Sequence, residues 1–405
     1  MKRILTNIFI LLCSFLGAQQ ALTQREAFEI AQKQNPRIRL AELEIQRRAQ
    51  VSRSAFLLEP LEIINRVGQL NSVYTDHSLE LVQSVRTPKY YRTLSNLLQS
   101  ETREATLYKS QLETQILLEI ARSYNRLQYL QNKKKLELKS DSITSLYLNR
   151  IERKVQLGES TIMEQITARN LQRRTRAELS QTQLSERTVS LALAQLLGNS
   201  QGNFLELEPD SESRPLVIED GTAVRLEELL RSRVATAQWR ASYQKQQRKP
   251  LFQFSAQSAT QRGSGADGKS YDFSSRFQSA GIGISLPLLG KAGKALEEAA
   301  HTQVLQEELN LEKTLSEKKI KEEMLQQELE KIETELQRDA PQGAIEAERL
   351  LFTAELLSKE GEIDYLGYLL LTREAFDYLQ HVELLKFQKQ DIQLQLKLIN
   401  IFNLQ

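Results

Sequence analysis

One cysteine and three histidines in 405 residues leave little material for thiol or metal chemistry. Cys13 lies in the N-terminal apolar segment, so a chain processed after it would hold no thiol and no disulfide. His77, His301 and His381 are far apart and lack ligand spacing, and Met163 and Met324 do not cluster. No resident metal or cofactor is therefore expected. There is no Gly-rich phosphate loop, no nucleophile motif and no His/Cys cluster, so no enzyme class is indicated. Lys and Arg number 54 against 52 Asp and Glu, without the basic excess a nucleic-acid partner would need. Aromatic residues make up only 6%. Beyond the N-terminus no run reaches about eighteen apolar residues, so no transmembrane helix is expected.

The N-terminus carries Lys2 and Arg3, an apolar run over residues 8–16, and then Gly17-Ala18-Gln19. This is the pattern of a secretory signal peptide, residues 1–18, cleaved near Ala18. A lipidated cysteine normally follows a small residue, and here Leu12 precedes Cys13. An exported chain without a membrane helix is either soluble or part of a β-barrel. The composition, rich in Leu, Gln, Glu, Lys and Arg, is that of long helices and coiled coils.

Thr23 and Glu26 form a capping box ahead of Ala27, Ile30 and Ala31 at helical spacing. Asn35-Pro36 interrupts, and helix resumes over 38–56. Over 61–86 the period changes to two. Leu61, Ile63, Val67, Leu79, Leu81 and Val85 alternate with Glu62, Arg66, Gly68, Glu80, Ser84 and Arg86. Each segment has about the ten residues of a tilted membrane strand, although a soluble hairpin remains an alternative. Residues 90–156 hold neither proline nor glycine, with Leu112, Ile116, Ile120, Leu127 and Leu130 at helical spacing. So long a helix needs packing along its length, as in a coiled coil or helical barrel. Leu157-Gly158-Glu159-Ser160 breaks it, and helix returns over 161–198. A looser stretch with Gly202, Pro209 and Pro215 precedes helix over 226–249.

The same order then recurs. Residues 251–259 alternate, a Gly/Ser-rich loop spans 262–270, and Gly281-Ile282-Gly283-Ile284-Ser285-Leu286 alternates again before Pro287. Tyr271, Phe273 and Phe277 fall where an aromatic girdle would sit. A second long helix over 294–358 has Leu325, Leu329, Ile332 and Leu336 in register, with a kink expected at Pro341. Gly361 ends it, and a last helix reaches the C-terminus. Pro60, Pro88 and Gly158 match Pro250, Pro287 and Gly361. The chain reads as a duplicated unit, about 19–215 and 216–405, with strand pairs at 61–86 and 251–286 and helix turns at 157–161 and 360–364. The fold class is mainly α with a membrane β-barrel portion. Four strands cannot close a barrel in lipid, where an open edge is not tolerated. Three copies would supply twelve strands, an acceptable even number.

In this order and spacing, the sequence resembles the TolC family of outer-membrane efflux proteins across the mature chain, 19–405. The residues carrying the likeness are Leu22-Thr23 with Ala27, Ala31 and Asn35-Pro36, then Ala121, Tyr124, Leu157-Gly158 and Ala168. Leu196-Leu197-Gly198 and Gly281-Ile282-Gly283-Ile284-Ser285-Leu286-Pro287-Leu288 complete it. Gly361-Glu362-Ile363-Asp364-Tyr365-Leu366 is similar to the heavy-metal-efflux (CusC/CzcC-type) branch. The resemblance implies a homotrimer with a twelve-stranded barrel in outer-membrane lipid and a long periplasmic helical barrel. It also implies a periplasmic adaptor and an inner-membrane transporter, of RND type, as partners. The cargo would be heavy-metal cations or small toxic compounds, passing without catalysis.

The same resemblance makes the two turns the periplasmic entrance and adaptor contact: Leu157, Gly158 and Glu159 in one, Glu360, Gly361 and Ile363 in the other. Glu164 matches the acidic residue that family members carry after the first turn. Gly367 occupies the second such position, and Ile363 stands where an arginine is usual. Threefold rings of Glu164, Glu362 or Asp364 would favour cations at a constriction. Equally, such acids suit helix N-termini as simple solvated groups. Arg153 and Lys154 are candidates to bind them across protomers. The competing function is an exported periplasmic coiled-coil adaptor or structural protein.

Overall fold

The computed structural model describes residues 23–198, 226–286 and 291–401. The leader with Cys13 and Ala18, the segment with Gly202, Pro209 and Pro215, and Pro287 to Gly290 at the second strand-to-helix junction lie outside these residues. Thr23 caps helix α1 (Gln24–Gln34): its hydroxyl accepts from the Glu26 amide at 3.3 Å, and the Glu26 carboxylate accepts from the Thr23 amide at 3.0 Å. The helix stops because Pro36 disfavours helical geometry at the residue before it. Asn35 is extended, with φ −64° and ψ 121°. Pro36 then opens α2 (Pro36–Arg53), where a missing N–H costs nothing. A 3-10 turn, Ser54–Phe56, ends that helix.

Strands β1 (Glu62–Gly68) and β2 (Asp76–Val85) follow, then helix α3 (Pro88–Gln156), of 69 residues and about 100 Å by helical rise. Helices α4 (Ile162–Leu196) and α5 (Leu226–Gln247) lead to β3 (Leu251–Thr260). A small hairpin, β4 (Gly263–Ser264) and β5 (Ser270–Tyr271), precedes β6 (Arg276–Ser285). Helices α6 (Lys291–Arg338), α7 (Ala340–Glu360) and α8 (Tyr365–Ile401) complete the order.

The kink expected near Pro341 is a one-residue interruption between α6 and α7 at Asp339, whose backbone stays in the helical region (φ −104°, ψ −37°). Pro341 has no N–H to carry the ladder on. The helical bonds on either side persist, Asp339 amide to Glu335 carbonyl at 3.1 Å and Gly343 amide to Asp339 carbonyl at 3.0 Å, and the Tyr378 hydroxyl of α8 adds a bond to the Asp339 carbonyl at 3.1 Å. Gly343 makes room for that ring, since a Cβ there would lie 2.0 Å from the Tyr378 hydroxyl.

The described residues fall into two compact units: residues 23–40, 110–198 and 316–401, and residues 41–109, 226–286 and 291–315. In the first, the apolar stripe of α3 is buried at Leu112, Ile116, Ile120, Leu127 and Leu130. Burying an Ile or Leu fully is worth about 1.5–3 kcal/mol, which is what holds so long a helix. Leu325 and Ile332 of α6 pack on Leu385, Ile392, Leu396 and Ile399 of α8, with Leu329 and Leu336 alongside. The Asn35 amide donates to the Leu196 carbonyl at 2.7 Å, joining the α1–α2 corner to the end of α4. Arg122 grips Asp391 with two bonds of 2.7 and 2.9 Å.

In the second unit, Arg240 of α5 reaches Glu101 of α3 at 2.7 Å, and the Tyr90 and Tyr243 hydroxyls meet at 3.0 Å. The four long strands form one sheet in the order β1-β2-β3-β6, every pair antiparallel. Its outer strands, β1 and β6, each have one edge without a partner among the described residues.

Candidate functional site

Directly paired residues of an antiparallel sheet share a face. The register therefore aligns Ile63, Leu81, Ala256 and Ala280 in one row, with Phe254 beside Ile282 and Phe252 beside Ile284. This face is apolar yet open: Ile282 is 77% exposed and Ile63 is 65% exposed. The opposite face carries Glu62, Arg66, Glu80, Gln253, Ser279 and Gly281 by alternation. There Arg66 pairs with Glu80 at 2.8 Å. A sheet apolar on one side and charged on the other suits lipid on one side and water on the other. The aromatic girdle does not form as one row. Phe277 pairs with Ala259 on the polar face and packs on Tyr271 at 5.1 Å, whereas Phe273 lies 6.2 Å from His77. Alternation decides this, because Phe277 is an odd number of residues from Ile282.

The two helix turns are built alike. Gly158 (φ +77°) and Gly361 (φ +80°) both adopt the left-handed conformation that closes a helix. The Glu159 amide returns to the Lys154 carbonyl at 2.8 Å, and the Glu362 amide to the Leu357 carbonyl at 3.0 Å. Three residues beyond each glycine stands a cap. The Thr161 hydroxyl accepts from the Glu164 amide at 3.2 Å. The Asp364 carboxylate accepts from the Gly367 amide at 2.9 Å. Glu164 receives a hydrogen bond from the Ser160 hydroxyl. Two of the three candidate acids thus serve the starts of α4 and α8, where the helix dipole favours negative charge. Glu362 has no side-chain partner among the described residues. Glu159, Glu360 and Glu362 are exposed, and Ile363 is half-buried. Leu157 (72%) and Met163 (73%) stand apolar and open at the first turn.

Gly367 has a local reason. A Cβ at this position would lie 2.7 Å from the Asp364 carboxylate that caps the helix. Asp364 takes the cap position and Gly367 leaves room for its carboxylate. Arg153 and Lys154 form no ion pair among the described residues; Glu152 instead pairs with Arg169 across the first hairpin at 2.8 Å. The turns are brought together by a cluster of Tyr147, Leu148 and Ile151 of α3, Ala168 of α4 and Leu369 of α8. Arg373 of α8 lies 3.7 Å from Glu178 of α4 and 3.3 Å from Asp377.

The sequence pattern did not disclose Glu137, which is 2% exposed in α3. It accepts from the Thr182 hydroxyl at 3.0 Å, with Lys133 at 3.8 Å, while its second oxygen has no partner. Burial pushes its carboxyl up. The Thr182 bond and Lys133 oppose this, and Glu178 adds to it. Its place in a run of charged residues hid this, and only the α3–α4 packing reveals it.

Among the described residues, no group of three or more His, Cys, Asp or Glu side chains is placed to hold a metal ion. His381 meets Glu335 at 3.0 Å. No described helix is long and apolar enough to cross a membrane.

No protein-family model and no curated protein matches the sequence. Solved structures match the fold along nearly its full length. The outer membrane protein VceC of Vibrio cholerae is 19% identical, with a TM-score of 0.67, over 94% of this chain and 95% of that one. The Campylobacter jejuni CmeC outer membrane channel is 12% identical, with a TM-score of 0.75, over 94% and 86%. CusC, described for its folding and transmembrane channel formation, is 15% identical, with a TM-score of 0.71, over 94% and 92%. The chain has the fold of the TolC-type outer-membrane channels.

Proposed function

We propose that this chain is the protomer of a trimeric outer-membrane channel, the passive exit duct of a tripartite efflux pump. The observation that carries the reading is the sheet. Among the described residues it has two unpartnered edges, one open apolar face and one charged face. Unpaired edges are not tolerated in lipid, so closure needs further strands, and three copies supply twelve. Residues 1–18 would be removed on export, and residues 19–405 form two repeats, about 19–215 and 216–405.

The turns at Gly158 and Gly361 would lie in the periplasm, meeting a periplasmic adaptor and, through it, an inner-membrane transporter of RND type. Leu157, Gly158, Glu159, Glu360, Gly361 and Ile363 are the docking residues in this reading. Glu164, Glu362 and Asp364 would line the entrance as carboxylate rings. The cargo would be heavy-metal cations or small toxic compounds, a choice supported by the segment from Gly361 to Leu366.

Single-channel conductance of the purified protein in planar bilayers tests the proposal. A small, cation-selective conductance is expected. A water-soluble monomer without conductance would turn the assignment to an exported coiled-coil adaptor or structural protein.

A further inference from the structure

The apolar face of the sheet holds a single charged residue, Arg276, on the row with Thr260. That row is at the end of the strands away from the helices, because β2 runs from Asp76 towards α3 and β6 runs from Arg276 towards α6. Arg276 donates from Nε to the Ser258 hydroxyl at 2.7 Å and from Nη2 to the Ser258 carbonyl at 2.9 Å. Nη1 lies 3.3 Å from His77 Nδ1. The arginine must be the donor there, so His77 carries its proton on Nε2 and offers a further donor. Gln278 joins the same Ser258 hydroxyl at 3.1 Å.

Glu62, Asp76 and Glu80 alternate to the other face, where Arg66 is neutralised by Glu80. The Asp76 carboxylate reaches this row through the Thr260 hydroxyl, at 3.3 Å. Arg276 forms no ion pair among the described residues. Three of its five donors are engaged and two remain, in a planar fork suited to a phosphate. Leu79, Ala280 and Ile282 continue the same face towards the helices, and Phe273 flanks His77. From Ile284 to Arg276 the strand runs on the order of 27 Å, which at the tilt of a barrel strand is about 20 Å of height, close to that of the apolar band of a membrane barrel.

We infer that Arg276, with His77, Ser258 and Gln278, forms a site on the barrel's outer wall for the phosphorylated headgroup of an outer-leaflet lipid. The acyl chains would lie along Leu79, Ala280 and Ile282. This rests on the outer-membrane reading above. The apolar surface directly beside the fork distinguishes a lipid from a free phosphate, and the missing counter-ion supplies the charge complementarity.

The test is native mass spectrometry of the full protein in non-ionic detergent, titrated with bisphosphorylated lipid A. Arg276→Gln should weaken binding about tenfold or more, as loss of a charge-assisted hydrogen-bond pair does. Gln278→Glu, which places a carboxylate beside an intact arginine, should do the same and covers the case in which the first variant fails to assemble. Arg66→Gln, on the opposite face, should bind as wild type does. Equal binding by wild type and both site variants overturns the inference. Displacement of the lipid by millimolar inorganic phosphate overturns the lipid assignment in favour of a free-anion site. Trimer mass is read in the same spectra, so a wild type that is not a trimer would instead refute the outer-membrane reading itself.

Discussion

Asp364 holds two roles that one substitution series can separate. Its carboxylate caps α8 by accepting from the Gly367 amide at 2.9 Å, and it adds negative charge at the second turn. Asp364→Ala removes both the cap and the charge. A lost cap costs about 0.5–2 kcal/mol, so amides in the first turn of α8 should exchange about two- to thirtyfold faster. Asp364→Asn keeps an oxygen in the same place and removes only the charge. Its exchange should stay near wild type, while three charges disappear from the assembled entrance. Hydrogen exchange reads the cap, and the reversal potential across a salt gradient in planar bilayers reads the ring. The expected pattern is cation preference reduced in both variants, with exchange accelerated only in Asp364→Ala. Asparagine exchanging as fast as alanine would refute the cap argument. Full cation preference in Asp364→Asn would refute the ring.

Two further substitutions probe the packing. Glu137 is buried with one oxygen unpartnered, and burial raises its carboxyl above the ordinary range. Its favourable contribution is therefore complete at acid pH and lost as pH rises, so Glu137→Gln should stabilise the protein at neutral pH by on the order of 1 kcal/mol. In urea unfolding that gain should vanish as pH falls below the usual carboxylate range near 4; a gain independent of pH contradicts the argument. Gly198 has φ +79° and would place a Cβ 2.5 Å from the Gln34 carbonyl oxygen. Gly198→Ala should cost about 2 kcal/mol or more, against about 1 kcal/mol for Gly268→Ala, whose φ is +76° with open space around it. Equal costs would show that the contact with Gln34 relaxes freely.

The long elements were legible because their signals are long. The stripe from Leu112 to Leu130 repeats often enough to fix both a helix and its buried face. Glycine turns and the Thr23–Glu26 box announce themselves locally. Strand alternation also sorted Arg66 and Glu80 onto one face, where they pair. What was hidden depends on neighbours distant in sequence. Asp364 is written as an acid, and only its bond to Gly367 makes it a cap. Arg276 is an ordinary arginine until the register with Ser258 and Thr260 places it on the apolar face. Phe277 looked like a girdle residue because composition ignores parity along the strand. Glu137 stands among lysines, and only the approach of Thr182 from α4 shows that it is buried.

The central claim is that the free edges of β1 and β6 join between copies. Within one chain these edges are separated by β2 and β3, about 14 Å at the usual strand spacing, too far for a disulfide. A cysteine at Asn65 on β1, combined in turn with cysteines along residues 276–284 of β6, can therefore bond only to another copy. The account predicts that some pairings oxidise to covalent species that end at three chains. Chains that remain single under oxidation at every pairing, or that link without limit, would contradict it.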